Sequence, residues 1–347
     1  MDVDGFLQEW NNPSEYVEVK TSGSTGTPKH MLVEKRRMLA SAKTTCDFLG
    51  LKSGDTALLC MSADYIAGKM MVVRSIERQL QLSVVTPSNH PLKGMETPFD
   101  FIAMVPSQVF ETMHDKDEAC LLRQTKHLII GGGAISAELE AALKDFPHCV
   151  WSTYGMTETL SHIALRRLNG TEASEWYRPF EGVRISLEDG CLAIEAPQIC
   201  SNKLITNDIA EICNGMFRIK GRKDNVICSG GIKIQIEEVE GLLRPHLDAP
   251  FVITKVKDSK FGEAVVLLTE AEVFDNIKAT CKEVLPRYWQ PKHCFHVSSI
   301  PLTETGKPAR KKAEEIAGAF ASNQTRMVTR KIIDEVPSKN ETSLTSM

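Results

Sequence analysis

Residues 20–30, KTSGSTGTPKH, form the densest run of chemistry-bearing side chains in the sequence. Thr21, Ser22, Ser24, Thr25 and Thr27 offer hydroxyl donors, and Lys29 adds a positive charge. Gly23 and Gly26 admit positive φ, so neighbouring N–H groups can turn toward one anion. Such a loop suits a polyphosphate, although Ser/Thr/Gly runs also build ordinary surface loops. It departs from the P-loop pattern, because its glycines are close together and Pro28 precedes the lysine. Two further places lie where strand-like segments end. Gly131, Gly132 and Gly133 follow KHLII, and Tyr154 with Gly155 closes HCVWSTYG. Glycines there let a flat ring approach the backbone and Tyr154 can stack on it, while a tight turn accounts for a triple glycine equally well. His293, Cys294 and His296 are the local metal-type cluster, but they alternate with Phe295 and Val297 as a strand does.

These residues need a scaffold, and the bulk numbers allow one. A chain of 347 residues with 42% hydrophobic and 25% charged content has material for two ordinary domains. A net charge of −4 without a basic stripe gives no reason to expect nucleic acid as a partner. The opening MDVDGFLQEW lacks the basic and apolar regions of a secretory leader. No apolar run approaches the roughly 18 residues of a membrane span. Ten cysteines without a C-x-x-C pair read as reduced thiols, which points to a cytoplasmic protein. Nothing in the sequence sets an oligomeric state.

Along the chain, a strand-like YVEVK delivers the glycine-rich loop, and MLVEKRRMLASAKTTCDFLGL has helical spacing that closes at Gly50. Strands TALLCMSA, LSVVTP, FDFIAM, KHLII and HCVWSTYG then alternate with helices KMMVVRSIERQL, PSQVFETM and ISAELEAALKDF. That alternation predicts parallel strands with helices on both faces, and ligands beyond the carboxyl ends of the strands. From Val183 the pattern changes to hairpins around Asp189-Gly190 and Asn214-Gly215, a small antiparallel β-subdomain. GRKDNVICSGGIKIQIEEVEGLLRPHL opens a compact α+β unit that ends in a helix from Lys312, and the polar tail after Ala321 is expected to fray.

Four stretches in this order then carry a resemblance: residues 21–29, YGMTET at 154–159, TND at 206–208 with GRKD at 221–224, and PLTETGK ending at Lys307. Together they resemble the signature of the adenylate-forming superfamily of acyl-CoA synthetases, adenylation domains and luciferases. The resemblance implies an α/β fold: a large domain with mostly parallel sheets, helices on both faces and an antiparallel β-subdomain, then a small mobile α+β C-terminal domain. It implies domains at 1–222 and 223–321, with a polar tail at 322–347. It also implies ATP, Mg²⁺ and coenzyme A as cofactor and co-substrates, and a small-molecule carboxylic acid as partner.

Residue by residue, the loop Thr21, Ser22, Gly23, Ser24, Thr25, Gly26 and Lys29 is expected on the β- and γ-phosphates. Gly132, Gly133, Tyr154 and Gly155 are expected on adenine, Thr157 on the α-phosphate, and Glu158 on Mg²⁺, a hard ion that takes oxygen ligands. Asp208 resembles the ribose carboxylate, Arg222 its supporting arginine, Lys307 the adenylation lysine, Asp224 the hinge, and Gly230 with Gly231 the pantetheine tunnel. The sequence departs from the family pattern at His30 and Asn207, where glycine is usual, and at Asp64-Tyr65, where an aromatic-histidine gate is usual. The long N-terminal subdomain of most members is expected to be missing.

Segments AGKMM, MVPSQV and YGMTETLSHIALR are most similar to short o-succinylbenzoate–CoA ligases of menaquinone biosynthesis. That acid carries a second carboxylate, so its pocket needs a cation and hydroxyls. Lys69, Ser107, Ser161 and His162 are the candidates, with Arg74 beside them and Lys69 first because it follows Gly68 at a helix start. A CoA ligase for another aryl or acyl acid, and a non-catalytic nucleotide-binding relative, stay open as alternatives.

Overall fold

A computed structural model describes residues 2–20, 30–303 and 307–334. Helix α1 (Val3–Asn11) is followed by the antiparallel pair β1 (Tyr16–Lys20) and β2 (His30–Glu34). Helical spacing had placed MLVE at the start of a helix. It forms β2 instead, because Val17, Val19 and Val33 alternate inward onto the core, and α2 (Lys35–Leu49) begins only at Lys35. Gly50 ends α2 as a left-handed cap with φ 68°.

The chain then builds β3 (Thr56–Leu59), α3 (Ile66–Arg78), β4 (Gln81–Val84), β5 (Phe101–Met104), α4 (Pro106–His114) and α5 (Lys116–Gln124). After them come β6 (His127–Ile130), α6 (Ala137–Leu143), β7 (Cys149–Gly155), β8 (His162–Arg167) and the short β9 (Arg178–Pro179). These strands form a sheet of order β4-β3-β5-β6-β7-β8-β9, parallel from β4 to β7 and antiparallel beyond it. Strict alternation sorts its two faces. Ala57, Leu59, Phe101, Ala103 and Ile129 face a core closed by Met38, Ala42 and Cys46 of α2 with Met70, Met71 and Val73 of α3. Leu58, Ile102, Met104, Leu128 and Ile130 face the opposite core with Val109, Leu122, Leu139 and Leu143. The parallel sheet with covered faces is therefore present.

The antiparallel sheet follows as β10 (Arg184–Glu188), β11 (Cys191–Glu195), β12 (Leu204–Cys213) and β13 (Met216–Arg222). Both hairpin turns have positive φ at both central residues, 50° and 77° at Asp189-Gly190 and 51° and 74° at Asn214-Gly215, as the primed turn requires. Tyr177 and Phe217 exchange two backbone hydrogen bonds at 2.7 and 3.0 Å and stack their rings, tying this sheet to the larger one.

The chain divides into two compact units, Met1–Asn225 with Leu302–Lys307, and Val226–Pro301 with Pro308–Met347. The second contains β14 (Val226–Ser229), β15 (Ile232–Gln235), α7 (Ile236–Leu243), β16 (Phe251–Asp258), β17 (Gly262–Thr269), α8 (Asp275–Val284), β18 (His293–His296) and α9 (Arg310–Asp334). Its sheet is β15-β14-β17-β16 with β18 parallel to β17. Phe295 packs in the core under α9, so HCFH is a strand, and no cluster of three metal-type ligands occurs among the described residues. Helix α9 runs past 321, where the sequence had suggested a frayed tail. Among the described residues no helix is long and apolar enough to cross a membrane.

Lys69 sits elsewhere than its position after Gly68 had suggested. It is 3% exposed, donates to Glu9 Oε2 at 3.2 Å and to the Glu18 carbonyl at 2.8 Å, and lies over the Phe6 ring. Glu9 Oε1 accepts the Glu18 N–H at 2.7 Å, so this ion pair satisfies the outer edge of β1 and fastens α1 to α3. Gly68 is required for packing, since a Cβ there would lie 2.2 Å from the Ser62 carbonyl oxygen. Lys69→Met is expected to remove about 3 kcal/mol by leaving that edge and Glu9 unpaired. A lower urea midpoint at unchanged slope is the check.

Candidate active site

The first part of the site forms where β7 meets β12 and β13. Asp208 stands opposite Arg222 in the β12–β13 register and is 8% exposed. Its Oδ1 accepts from Arg222 Nη1 at 2.9 Å, its Oδ2 accepts from Tyr154 Oη at 2.5 Å, and its own N–H bonds Thr206 Oγ1. Arg222 also clamps Asp224 with Nε and Nη2 at 2.9 and 3.0 Å. Tyr154 packs edge-on against Phe217, with ring centroids 4.9 Å apart. Burial, and then the Asp208 anion, push the Tyr154 phenol far up, so it remains a hydrogen-bond donor. Lys307 donates its N–H to Thr303 Oγ1 at 3.1 Å, and its carbonyl accepts the Thr303 N–H at 2.7 Å. Burial first, and then the Arg222 charge, pull its ammonium below the ordinary lysine range, while Asp208 opposes them. Lys307, Arg222 and Asp208 therefore share one electrostatic neighbourhood.

The turn between β7 and β8 presents Thr157 and Glu158. Gly155 is obligatory there: a Cβ would lie 2.2 Å from the Ser161 carbonyl oxygen. Thr157–Thr159 makes one 3₁₀ turn, tied by the Thr159 hydroxyl to the Met156 N–H. Leu160, buried at 3%, leaves it at φ 62°, ψ −35°, a conformation that costs an ordinary residue about 1–3 kcal/mol. Glu158 is exposed and has no hydrogen bond or ion pair among the described residues. With no carboxylate cluster beside it among the described residues, Glu158 fits an ion that takes one protein carboxylate and fills its remaining positions with phosphate oxygens or water, as Mg²⁺ does.

At the end of β6 the closest approach falls on Gly131, whose Cβ would lie 2.2 Å from Thr153 Oγ1. Gly132 has φ 82° and Gly133 lies against Pro106, so packing on β7 and α4 accounts for part of the triple glycine. Gly230 and Gly231 form the β14–β15 turn with φ 57° and 83°, in the second unit. Ser107 is exposed near the start of α4. The glycine-rich loop candidates Thr21, Ser22, Gly23, Ser24, Thr25, Gly26 and Lys29 lie outside the described residues.

A second polar group lies under the Glu158 turn. Arg74 of α3 is 2% exposed, donates from Nη2 to Ser161 Oγ at 2.5 Å, and has no ion pair among the described residues. Its buried Nε lacks any partner. Burial lowers its guanidinium to about 10, so it stays charged at neutral pH. His162 bonds Ser161 Oγ through Nδ1 at 3.3 Å and Thr45 Oγ1 through Nε2 at 3.0 Å. Burial, and then the Arg74 charge, hold His162 well below 6.5. The structure thus brings Arg74, Ser161 and His162 together and leaves Lys69 and Ser107 apart from them. Thr45 was not among the sequence candidates; its signal is that it and Ser41 are the polar residues on the buried, mostly apolar face of α2. Sequence reading also did not foresee the Tyr154–Asp208 bond, which joins residues 54 positions apart.

The family model of the AMP-binding enzymes matches residues 19–191. The 2-succinylbenzoate–CoA ligase of Salmonella typhimurium is 28% identical over 292 residues, which cover 78% of this chain and 62% of that protein. The chain thus spans less than two thirds of the length of that curated relative. An acyl-CoA synthetase (AMP-forming)/AMP-acid ligase II-like protein from Dyadobacter fermentans matches in structure with TM-score 0.61 and 33% identity, over 89% of this chain and 91% of that one. The o-succinylbenzoate coenzyme A synthetase of Bacillus subtilis, solved with ATP and magnesium ion, shares the fold with TM-score 0.69 and 22% identity, over 85% and 68%.

Stability should fall in acid, because the unfolded chain protonates His162 near 6.5 and the folded chain does not. Above that pH the contribution is fully present, and below it up to about 1.4 kcal/mol is lost per pH unit. His162→Gln should remove that part of the slope, read as urea midpoints at about pH 5 and about pH 7.5. Gly155→Ala should cost about 3 kcal/mol or more, since only backbone could move aside, and denaturation measures it.

Proposed function

Since this chain belongs to the adenylate-forming superfamily of AMP-binding enzymes, we propose that it is an ATP-dependent acid–CoA ligase acting through an acyl-adenylate. The acid in this reading is o-succinylbenzoate. The observation that carries the reaction is Lys307 held near Asp208 and Arg222, with no ion pair of its own among the described residues. An adenylation site needs a cation there. The attacking carboxylate is already ionised at neutral pH, so the task is to neutralise charge at the α-phosphorus rather than to remove a proton.

In the first half-reaction a carboxylate oxygen bonds the α-phosphorus and the bond to pyrophosphate breaks. In the second, the CoA thiol loses its proton, its sulfur bonds the acyl carbon, and AMP leaves with the oxygen that had joined acid to phosphorus. Asp208 accepts the ribose hydroxyls on lone pairs that Tyr154 and Arg222 leave free, and Thr157 bonds the α-phosphate. The loop of residues 21–29 takes the leaving phosphates, and Gly132 and Gly133 admit the adenine. Mg²⁺, which Glu158 would hold, supplies further positive charge to the phosphates when bound. Gly230 and Gly231 leave room for the pantetheine thiol, and Asp224 serves as the hinge between half-reactions.

Arg74 supports the choice of acid. A monocarboxylate would leave a buried guanidinium without a counter-ion, whereas the second carboxylate of o-succinylbenzoate supplies one. Acid-dependent exchange of labelled pyrophosphate into ATP tests the reading. Exchange should appear with o-succinylbenzoate and fall at least about a hundredfold in Lys307→Ala while ATP still binds. Arg74→Met should raise KM for this acid about tenfold or more relative to a monocarboxylic one. Exchange only with other acids would move the assignment to a different aryl- or acyl-CoA ligase. ATP binding without exchange for any acid would favour a non-catalytic nucleotide-binding protein.

A further inference from the structure

We infer that His162, as the neutral tautomer protonated on Nε2, is a positioning residue that locks Ser161 and thereby aims Arg74 at the acid's second carboxylate. The inference rests on the dicarboxylate reading above for its substrate and on proton counting for its geometry. A guanidinium has donors and no acceptor, so in the 2.5 Å contact Arg74 Nη2 donates and Ser161 Oγ accepts. Ser161 must then send its own proton elsewhere, and His162 Nδ1 lies 3.3 Å away. On the other side of the ring, Thr45 Oγ1 donates to the Ser41 carbonyl at 3.2 Å, as a helical threonine does to the residue four back. Its oxygen is left to accept from His162 Nε2 at 3.0 Å.

One arrangement satisfies every contact: Arg74 to Ser161 to His162 Nδ1, and His162 Nε2 to Thr45 to the Ser41 carbonyl. The opposite tautomer sets two donors against the Ser161 oxygen, strands the hydroxyl proton, and takes the Thr45 proton from the Ser41 carbonyl. A doubly protonated ring would add a second buried cation beside Arg74, which the burial of both groups forbids.

The consequence falls on Arg74. With the Ser161 hydroxyl unable to rotate, Nη2 is pinned, Nη1 has just the Met71 sulfur at 3.8 Å as a hydrogen-bond partner among the described residues, and the buried Nε has no partner among them. Donors fixed in this way suit a planar carboxylate and no neutral group of that shape. Ser161 is held in place from the other side as well, because it follows the left-handed Leu160. His162 touches no reacting atom and acts through Ser161.

Nitrogen NMR of the full chain carrying labelled histidine, with Ser161→Ala to identify the resonance, reads the tautomer directly. Nδ1 should give the unprotonated shift, and should move toward the free lone-pair value in Ser161→Ala. The kinetic arm compares o-succinylbenzoate with its ester lacking the second carboxylate. His162→Phe should lower the preference for the diacid about tenfold through KM. His162→Asn, whose amide oxygen can take the Ser161 proton, should restore part of it. A ring protonated on Nδ1 or on both nitrogens overturns the assignment whatever the acid. A diacid preference that survives His162→Phe overturns it too. If the native enzyme shows no such preference, the choice of acid is what fails, and the tautomer alone then decides the His162 assignment.

Discussion

The carboxylate of Asp208, nearly removed from water and gripped by a phenol and a guanidinium, is the contact on which the rest of this molecule depends. Its three members come from β7, β12 and β13, so the contact exists only if the parallel sheet and the antiparallel sheet hold a fixed relation. The backbone exchange between Tyr177 and Phe217 sets that relation, and the Tyr154 ring packs on both of these aromatic residues. A buried carboxylate without partners costs several kcal/mol, which makes the two donors a condition of folding. Arg222 then extends the charge network to Asp224 through a bidentate pair.

Five buried or half-buried cations among the described residues fall into two groups. Lys69, Arg166 and Arg310 each have a protein carboxylate, in Glu9, Glu140 and Glu240. Their charge is neutralised within the fold, and they hold elements together. Arg74 and Lys307 have no such partner among the described residues, and burial depresses both. A fold that leaves cations desolvated and unneutralised carries a standing cost that an anionic ligand relieves.

Much of this was legible before any coordinates. Short apolar runs placed the five strands of the parallel sheet, and helical spacing placed α3, α4 and α6 between them but not α5. Asp-Gly and Asn-Gly marked both hairpins of the small sheet, since the primed turn demands positive φ. Three of the four short motifs singled out Tyr154 with Glu158, then Asp208, then Lys307, and the structure brings Tyr154, Asp208 and Lys307 into one neighbourhood. What was not legible depends on contacts between distant residues. Lys69 looked like a ligand group because its partner Glu9 is 60 residues away. Thr45 looked like one more helix residue because its partner His162 is 117 residues away. The strand β2 was mistaken for helix because its short apolar run fits either period until β1 pairs with it.

In the proposed reaction the acid's own carboxylate attacks the α-phosphorus, and AMP leaves when the thiol arrives. Oxygen tracing tests it most directly. The acid is supplied with heavy oxygen in its reacting carboxylate, together with ATP, Mg²⁺ and coenzyme A, and the products are weighed by mass spectrometry. One heavy oxygen is expected in AMP and one in the thioester carbonyl. AMP without heavy oxygen, alongside thioester formation, would contradict it.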